Sequence, residues 1–159
     1  MVLFVSECGI EHLEEVVELN IVVQDIHAEK FPEIFKSDVS RTGVMDDFRE
    51  VISDSSQYLF VACDEVGSVL GYVWAQYYER GESNLSYGAK VLCLNHICVN
   101  PEKGRKGTGG ALVEHLEKLG KSLSIDMLLL DVWCFNNVAN DFFVKVGFRG
   151  YCNRMWKRY

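Results

Sequence analysis

A chain of 159 residues, 48% apolar and 25% charged, has the size and balance of one globular domain with an ordinary core, and residues 1–159 are taken as that single domain. Its net charge of −7 sits at the front: residues 1–55 carry 13 acidic against 4 basic groups, and residues 56–159 carry 10 against 12. That distribution argues against a nucleic-acid partner, no apolar run approaches the roughly 18–20 residues of a membrane span, and the start lacks a basic, cleavable leader, so a cytoplasmic protein off the membrane is expected.

In chain order, Leu3–Ser6 reads as a short strand. Helical spacing of Leu13, Val16, Val17, Val23 and Ile26 predicts a helix from about His12 to Ala28, and Pro32 breaks it. A second helix is predicted over Val44–Ile52. Strands Tyr58–Cys63 and Val69–Tyr78 flank the turn DEVGS, and the polar stretch 79–88 is a loop. Val91–Val99 is the next strand. Thr108–Leu123 is a helix with Leu112, Leu116, Leu119 and Leu123 on one stripe. A buried strand follows over 127–134, then a short helix Val138–Val146 stopped by Gly147. The tail, FRGYCNRMWKRY, is assigned to a closing hairpin. This order defines a mixed α/β (α+β) domain.

The six cysteines (8, 63, 93, 98, 134, 152) form no CxxC pair and lie mostly in apolar runs. They read as small buried hydrophobes, and with histidines that lack ligand spacing no metal is expected.

The chemistry concentrates in KGRKGTGGAL (103–112), a glycine-dense turn between an apolar strand and an amphipathic helix, the usual setting for backbone N–H groups that hold a phosphate. A nucleotide P-loop would need Lys-Ser/Thr where Gly110-Ala111 stand. A dinucleotide fingerprint would need a third glycine where Leu112 stands, although Asp131 lies about 20 residues on, where a ribose-binding acid would. A glycine-rich connector with no ligand is the plain alternative, but four glycines in seven residues carry a backbone-entropy cost that a connector rarely needs.

The run LCLNHICVNPEKGRKGTGGALVEHL resembles the central motif of the GNAT N-acetyltransferase superfamily, and NNVANDFFVKVGF (136–148) is similar to that family's N-x-x-A-x-x-[FY]-Y-x-x-x-G-F block. The resemblance implies a twisted, mostly antiparallel mixed sheet of 6–7 strands with about four helices, splayed at its central strands. It implies acetyl-CoA as cosubstrate and no metal. The amides of Arg105, Lys106, Gly107, Thr108, Gly109 and Gly110 would cradle the pyrophosphate, with positive charge from Arg105 and Lys106. Backbone groups of Ile97, Cys98 and Val99 would meet the pantetheine arm, Asn136, also a natural helix N-cap, would reach it with its side chain, and Phe143 is counted with them among the CoA-binding positions.

Two positions depart from the family pattern. Gly104 replaces an Arg/Gln, and Phe143 stands where a Tyr usually protonates the departing thiolate; phenylalanine has no proton to give. Candidates for the catalytic base are His96, Asn95 and His27. Asn95 lacks basicity, alternation points His96 away from the face of Asn95 and Ile97 unless a bulge intervenes, and His27 lies on the first helix in QDIHAEKFPEIF. The implied activity is acetyl transfer to a primary amine by direct attack in a ternary complex. The acidic front half favours a small cationic amine, with Asp25, Glu29 and Glu33 available to attract it. An acyl-CoA-binding module with little catalysis, and a protein N-terminal or lysine acetyltransferase, are the alternatives. A homodimer is left open.

Overall fold

The computed structural model describes residues 2–104 and 106–159. The elements run β1 (Phe4–Glu7), a single 3₁₀ turn (Ile10–His12), α1 (Leu13–Lys30), α2 (Arg41–Ser53), β2 (Gln57–Cys63), β3 (Val69–Arg80), β4 (Ala89–Val99), α3 (Thr108–Ser122), β5 (Met127–Leu130) and α4 (Asn137–Lys145). The strands form one sheet in the order β1-β2-β3-β4-β5. The first three pairings are antiparallel and the last, β4 with β5 across α3, is parallel.

Strand alternation divides the core into two layers. Leu59, Val61 and Cys63 of β2 and Tyr72 of β3 face Leu13, Val16, Val17 and Leu19 of α1 and Phe48 and Val51 of α2. Phe60, Ala62, Val73, Ala75, Leu92 and Leu94 face the other way, onto Leu112 and Leu116 of α3 and Phe143 of α4. The sheet is thus sandwiched between an α1–α2 layer and an α3–α4 layer.

The strand count corrects the expectation of 6–7: the described residues contain five. The tail forms no closing hairpin, and residues 149–159 are exposed and irregular. Its pattern gives the reason. On an extended chain one face would carry Tyr151, Asn153, Met155 and Lys157, and the other Cys152, Arg154, Trp156 and Arg158, so neither face is apolar enough to pack. The strand expected over 127–134 also stops early, at Leu130.

A fault in the β3–β4 ladder sets up everything that follows. Trp74 pairs with His96 but Ala75 pairs with Leu94, so Asn95 is an extra, bulged residue with no partner on β3. The bulge resets the alternation. Leu92, Leu94 and Ile97 all pack toward α3, while Cys98 joins the α1–α2 layer and His96 meets Tyr72 of that layer.

Candidate functional site at the β4–β5 splay

The parallel ladder between β4 and β5 runs only from Val91↔Met127 to Leu94↔Leu130. Beyond it β4 continues to Val99 while the chain after Leu130 turns away. Residues 96–99 therefore keep β3 on one edge, and 95–99 have no ladder partner on the other among the described residues. This is the splay expected at the central strands.

At the outer end of β4 the glycine turn delivers the N-terminus of α3. Asn100 Oδ1 accepts from the backbone N–H groups of Glu102 and Lys103 at 2.9 and 3.0 Å, and the Gly104 N–H donates to the Asn100 carbonyl at 2.7 Å. A Cβ on Gly104 would lie 2.2 Å from that carbonyl oxygen and 2.4 Å from Val99 Cγ1, so the turn admits only glycine there. This explains the departure from the family's Arg/Gln. Gly107 precedes α3 with φ +101°, a left-handed conformation that glycine adopts without strain. The first intrahelical bond runs from Ala111 N–H to the Gly107 carbonyl, so the Gly109 and Gly110 amides lie ahead of it. Thr108 is fully buried, its methyl directed at the space a Gly71 side chain would fill. Lys106 is exposed, and Arg105 lies outside the described residues.

The two flanking glycines differ. A Cβ on Gly110 would meet nothing within 4 Å, whereas one on Gly109 would come within 3.1 Å of Phe142 Cζ. Gly109 therefore lets α4 pack against the start of α3, and Gly110 borders open space.

α4 begins at Asn136, whose Oδ1 accepts from Ala139 N–H at 3.0 Å. The cap uses only the oxygen, so the side-chain amide remains without a partner among the described residues. Phe143 is 6% exposed and packs on Phe142 and Phe148, inside the α3-side core. It contributes packing and no proton. Cys98 turns its thiol into the α1–α2 layer, where burial pushes it up to about 11, so only its backbone can face the splay. Asn95 is exposed at the bulge.

His96 and His27 converge on the α1 side, their ring centroids 6.5 Å apart. The Tyr72 hydroxyl accepts from Asn20 Nδ2 at 3.0 Å and lies 2.7 Å from His96 Nδ1. Its own proton has an acceptor only if it is given to Nδ1, which puts the His96 proton on Nε2. Burial, helped by neighbouring His27, pushes His96 down to about 4. Burial also lowers His27, partly opposed by a hydrogen bond from its ring to the Val23 carbonyl. Both imidazoles are therefore neutral at pH 7.

The His96 shift has a stability consequence. The unfolded chain takes up this proton near pH 6.5 but the folded chain only near pH 4, so acidification across that window favours unfolding, by about 3 kcal/mol at its lower end. His96→Gln keeps an acceptor for Tyr72 and cannot titrate. Urea unfolding is expected to show wild type losing stability faster than the variant between pH 7 and pH 4.5. A constant difference between the two would exclude His96 as the responsible group.

Sequence reasoning missed the surroundings of His27. Phe35 lies 5.0 Å from it, Phe135 5.9 Å and Trp133 6.1 Å between ring centroids. Phe31 joins them, 5.3 Å from Trp133 and 5.6 Å from Phe135, and Trp156 of the tail reaches Phe31 at 6.4 Å. None of these rings belongs to either core layer. By contrast Asp25, Glu29 and Glu33 are exposed and none makes a hydrogen bond to this cluster. A cleft of about 580 Å³ opens nearby between α1, α2 and β3, lined by residues that include Asn20, Gln24, Phe48 and Trp74, with Phe35 as the wall it shares with the cluster.

Among the described residues no helix is long and apolar enough to cross a membrane, and no group of three or more His, Cys, Asp or Glu is placed to hold a metal ion.

The family model of the acetyltransferase (GNAT) family matches residues 21–148, and the chain belongs to that family. A search of curated proteins gave no match. Among solved structures, the tetramutant of the BH1408 protein from Bacillus halodurans superimposes with a TM-score of 0.90 at 21% identity, covering 98% of this chain and 99% of that one. Aminoglycoside acetyltransferase AAC(6')-Iy, bound to a bisubstrate analogue of CoA and acetylneamine, gives 0.78 at 16% identity over 100% and 99%. Aminoglycoside 6'-N-acetyltransferase AAC(6')-Ih from Acinetobacter baumannii gives 0.76 at 15% over 99% and 98%. At these identities the likeness is one of fold.

Proposed function

We propose that this protein is an acetyl-CoA-dependent N-acetyltransferase acting on a small primary amine. The observation that carries the reading is the splay: a β4 edge without a ladder partner over 95–99, with the open N-terminus of α3 at one end and a neutral histidine pair on the α1 side.

The residues fit the donor. Amides at the start of α3, from Lys106 to Gly110 with Arg105 beside them, would bind the diphosphate through charge-assisted hydrogen bonds and the helix dipole. The backbone of Ile97, Cys98 and Val99 would hold the pantetheine arm along the free edge, and the spare amide of Asn136 would support it from α4. Acetyl-CoA supplies the acyl group as a thioester. The ammonium would first give one proton to His27. The neutral nitrogen would then form the C–N bond as the C–S bond breaks, and the second proton lost by nitrogen would go to the departing CoA sulfur, giving the thiol, or to water if the thiolate leaves.

His27 is the better base of the pair. One ring nitrogen is engaged by the Val23 carbonyl, which leaves the other to accept a proton. His96 has Nδ1 occupied by Tyr72 and binds a proton only near pH 4, too acidic for a base working at neutrality. It fits a positioning role, and Asn95 contributes the bulge. Phe143 supplies no acid, which a thiolate leaving group with an ordinary pKa near 8.5 tolerates.

Thiol release from acetyl-CoA is expected only when an amine is present, with equimolar acetylated amine in the mass spectrum. Tight CoA binding without amine-dependent release across a broad panel would instead favour a CoA-binding module.

A further inference from the structure

The rings around His27 are apolar side chains that the fold does not use. Phe31, Phe35, Trp133 and Phe135 lie outside both core layers, yet all four are partly shielded by one another. Aromatic surface gathered outside a core, around a group with chemistry, marks a binding surface rather than packing. Their chain positions support this. Phe31 and Phe35 follow the last turns of α1, and Trp133 and Phe135 stand three and five residues past the last paired residue of β5. The cluster thus joins the end of α1 to the segment that leaves β4 after β5.

Resting on the acetyl-transfer reading, we infer that this aromatic shell is the acceptor subsite and that it selects a primary amine with a flat apolar body, an arylalkylamine, over polyamines and polyhydroxylated amines. The chemistry of the lining decides between these. A polyamine or aminosugar brings several ammonium or hydroxyl groups, each needing a carboxylate or a hydrogen-bond partner once water is removed. The shell offers no carboxylate and few polar groups: beyond phenyl and indole faces it has the Trp133 indole N–H, a donor, and one His27 nitrogen, an acceptor, enough for a single ammonium. Asp25, Glu29 and Glu33 are exposed, and Asp47 and Glu50 line only the neighbouring cleft on the other side of Phe35. An aryl ring can replace one ring–ring contact with another, offset-stacked or edge-to-face. Its single ammonium is stabilised by the ring faces, is not repelled by the neutral His27, and loses its proton there.

The shell can open without breaking a helix or strand. Phe31 and Phe35 sit in the irregular stretch 31–40, Trp133 and Phe135 in 131–136, and Trp156 on the exposed tail. Trp133 itself is held from behind, its carbonyl accepting from Asn136 N–H at 2.9 Å and from Asn140 Nδ2 at 3.2 Å. The other wall is held as well, Phe31 N–H donating to the His27 carbonyl at 2.8 Å and Phe35 N–H to the Phe31 carbonyl at 2.9 Å, so opening falls to side-chain rotation and to Trp156 of the tail.

The test uses the full chain with acetyl-CoA and three acceptors: 2-phenylethylamine, spermidine and kanamycin. 2-Phenylethylamine is expected to give a kcat/KM at least about 10-fold above the other two. Trp133→Ala should raise its KM about 10-fold with the KM for acetyl-CoA unchanged, and Phe31→Leu provides a second, milder variant with the same signature. A preference for spermidine or kanamycin, or an unchanged KM in both variants, overturns the inference while leaving acetyl transfer standing. If no amine releases thiol, acetyl transfer fails instead, and calorimetry with 2-phenylethylamine alone decides: binding that Trp133→Ala abolishes upholds the aromatic subsite, and no binding to wild type removes it.

Discussion

His27→Gln is expected to lower kcat by about 10²–10³-fold, the range for removing a general base, while leaving the affinity for acetyl-CoA within about twofold. The prediction follows from what surrounds the ring. His27 ends a stripe of α1 that runs Asn20, Gln24, His27 and points on to Phe31 just past the helix, and burial among aromatic rings lowers its proton affinity. A base works in its deprotonated form, so lowering its pKa below 6.5 leaves it ready at pH 7 and puts the acid limb of kcat below pH 6.5. The variant should lose both rate and that limb, and what rate remains should reflect positioning of the two substrates. Parallel measurements on His96→Gln discriminate between the two histidines. His96 is already neutral down to about pH 4 and its Nδ1 is filled, so its replacement should cost far less rate and show itself mainly in acid stability. The opposite ranking, with His96→Gln the slower enzyme, would assign the proton to His96.

The parts of this protein legible in its sequence are those governed by local patterns. The α3 helix was visible in the stripe Leu112–Leu116–Leu119 and begins at the expected Thr108, because a glycine turn with a left-handed Gly107 admits no earlier start. The α4 cap was visible in Asn136, and the structure uses its oxygen in that way. The family blocks placed the splay correctly, since a βαβ crossing in which only four residues of β5 pair leaves β4 beyond Leu94 without a ladder partner on that edge. What was not legible depends on long-range register. The face of His96 turns on one bulged residue, Asn95, and no local pattern distinguishes a bulged strand from a regular one. The hairpin expected in the tail has no support from apolar alternation in FRGYCNRMWKRY, and the segment stays irregular. Asp25, Glu29 and Glu33 are exposed, so their pull on a cation would act at a distance through charge rather than by contact. A usable signal for the aromatic shell was present in the helical spacing of His27 and Phe31 with Phe35 one turn further on, and in the alternating Trp133 and Phe135. Only folding brings those two segments together.

Gly110→Val is expected to weaken CoA binding about 10²-fold with the thermal midpoint unchanged or slightly raised. The choice of position matters. Gly109 looks equivalent in sequence, but a side chain there would press on Phe142 and disturb the α3–α4 contact, so a loss of binding would be confounded with a loss of packing. At Gly110 an added Cβ meets nothing within 4 Å, and glycine is a poor helix residue, so in the free protein the substitution costs little or even stabilises α3. The empty space beside Gly110 is the volume a diphosphate would need in order to reach the amides ahead of Ala111. A branched side chain there forces the anion off one or two charge-assisted hydrogen bonds of about 1.5–3 kcal/mol each, which sets the expected factor. Calorimetric titration with CoA, paired with a melt of the same preparation, separates the two effects. Unaltered affinity in a variant that melts like wild type would mean that the diphosphate binds elsewhere, and the glycine turn would then be explained by the close approach of Gly104 to Asn100 and Val99 alone.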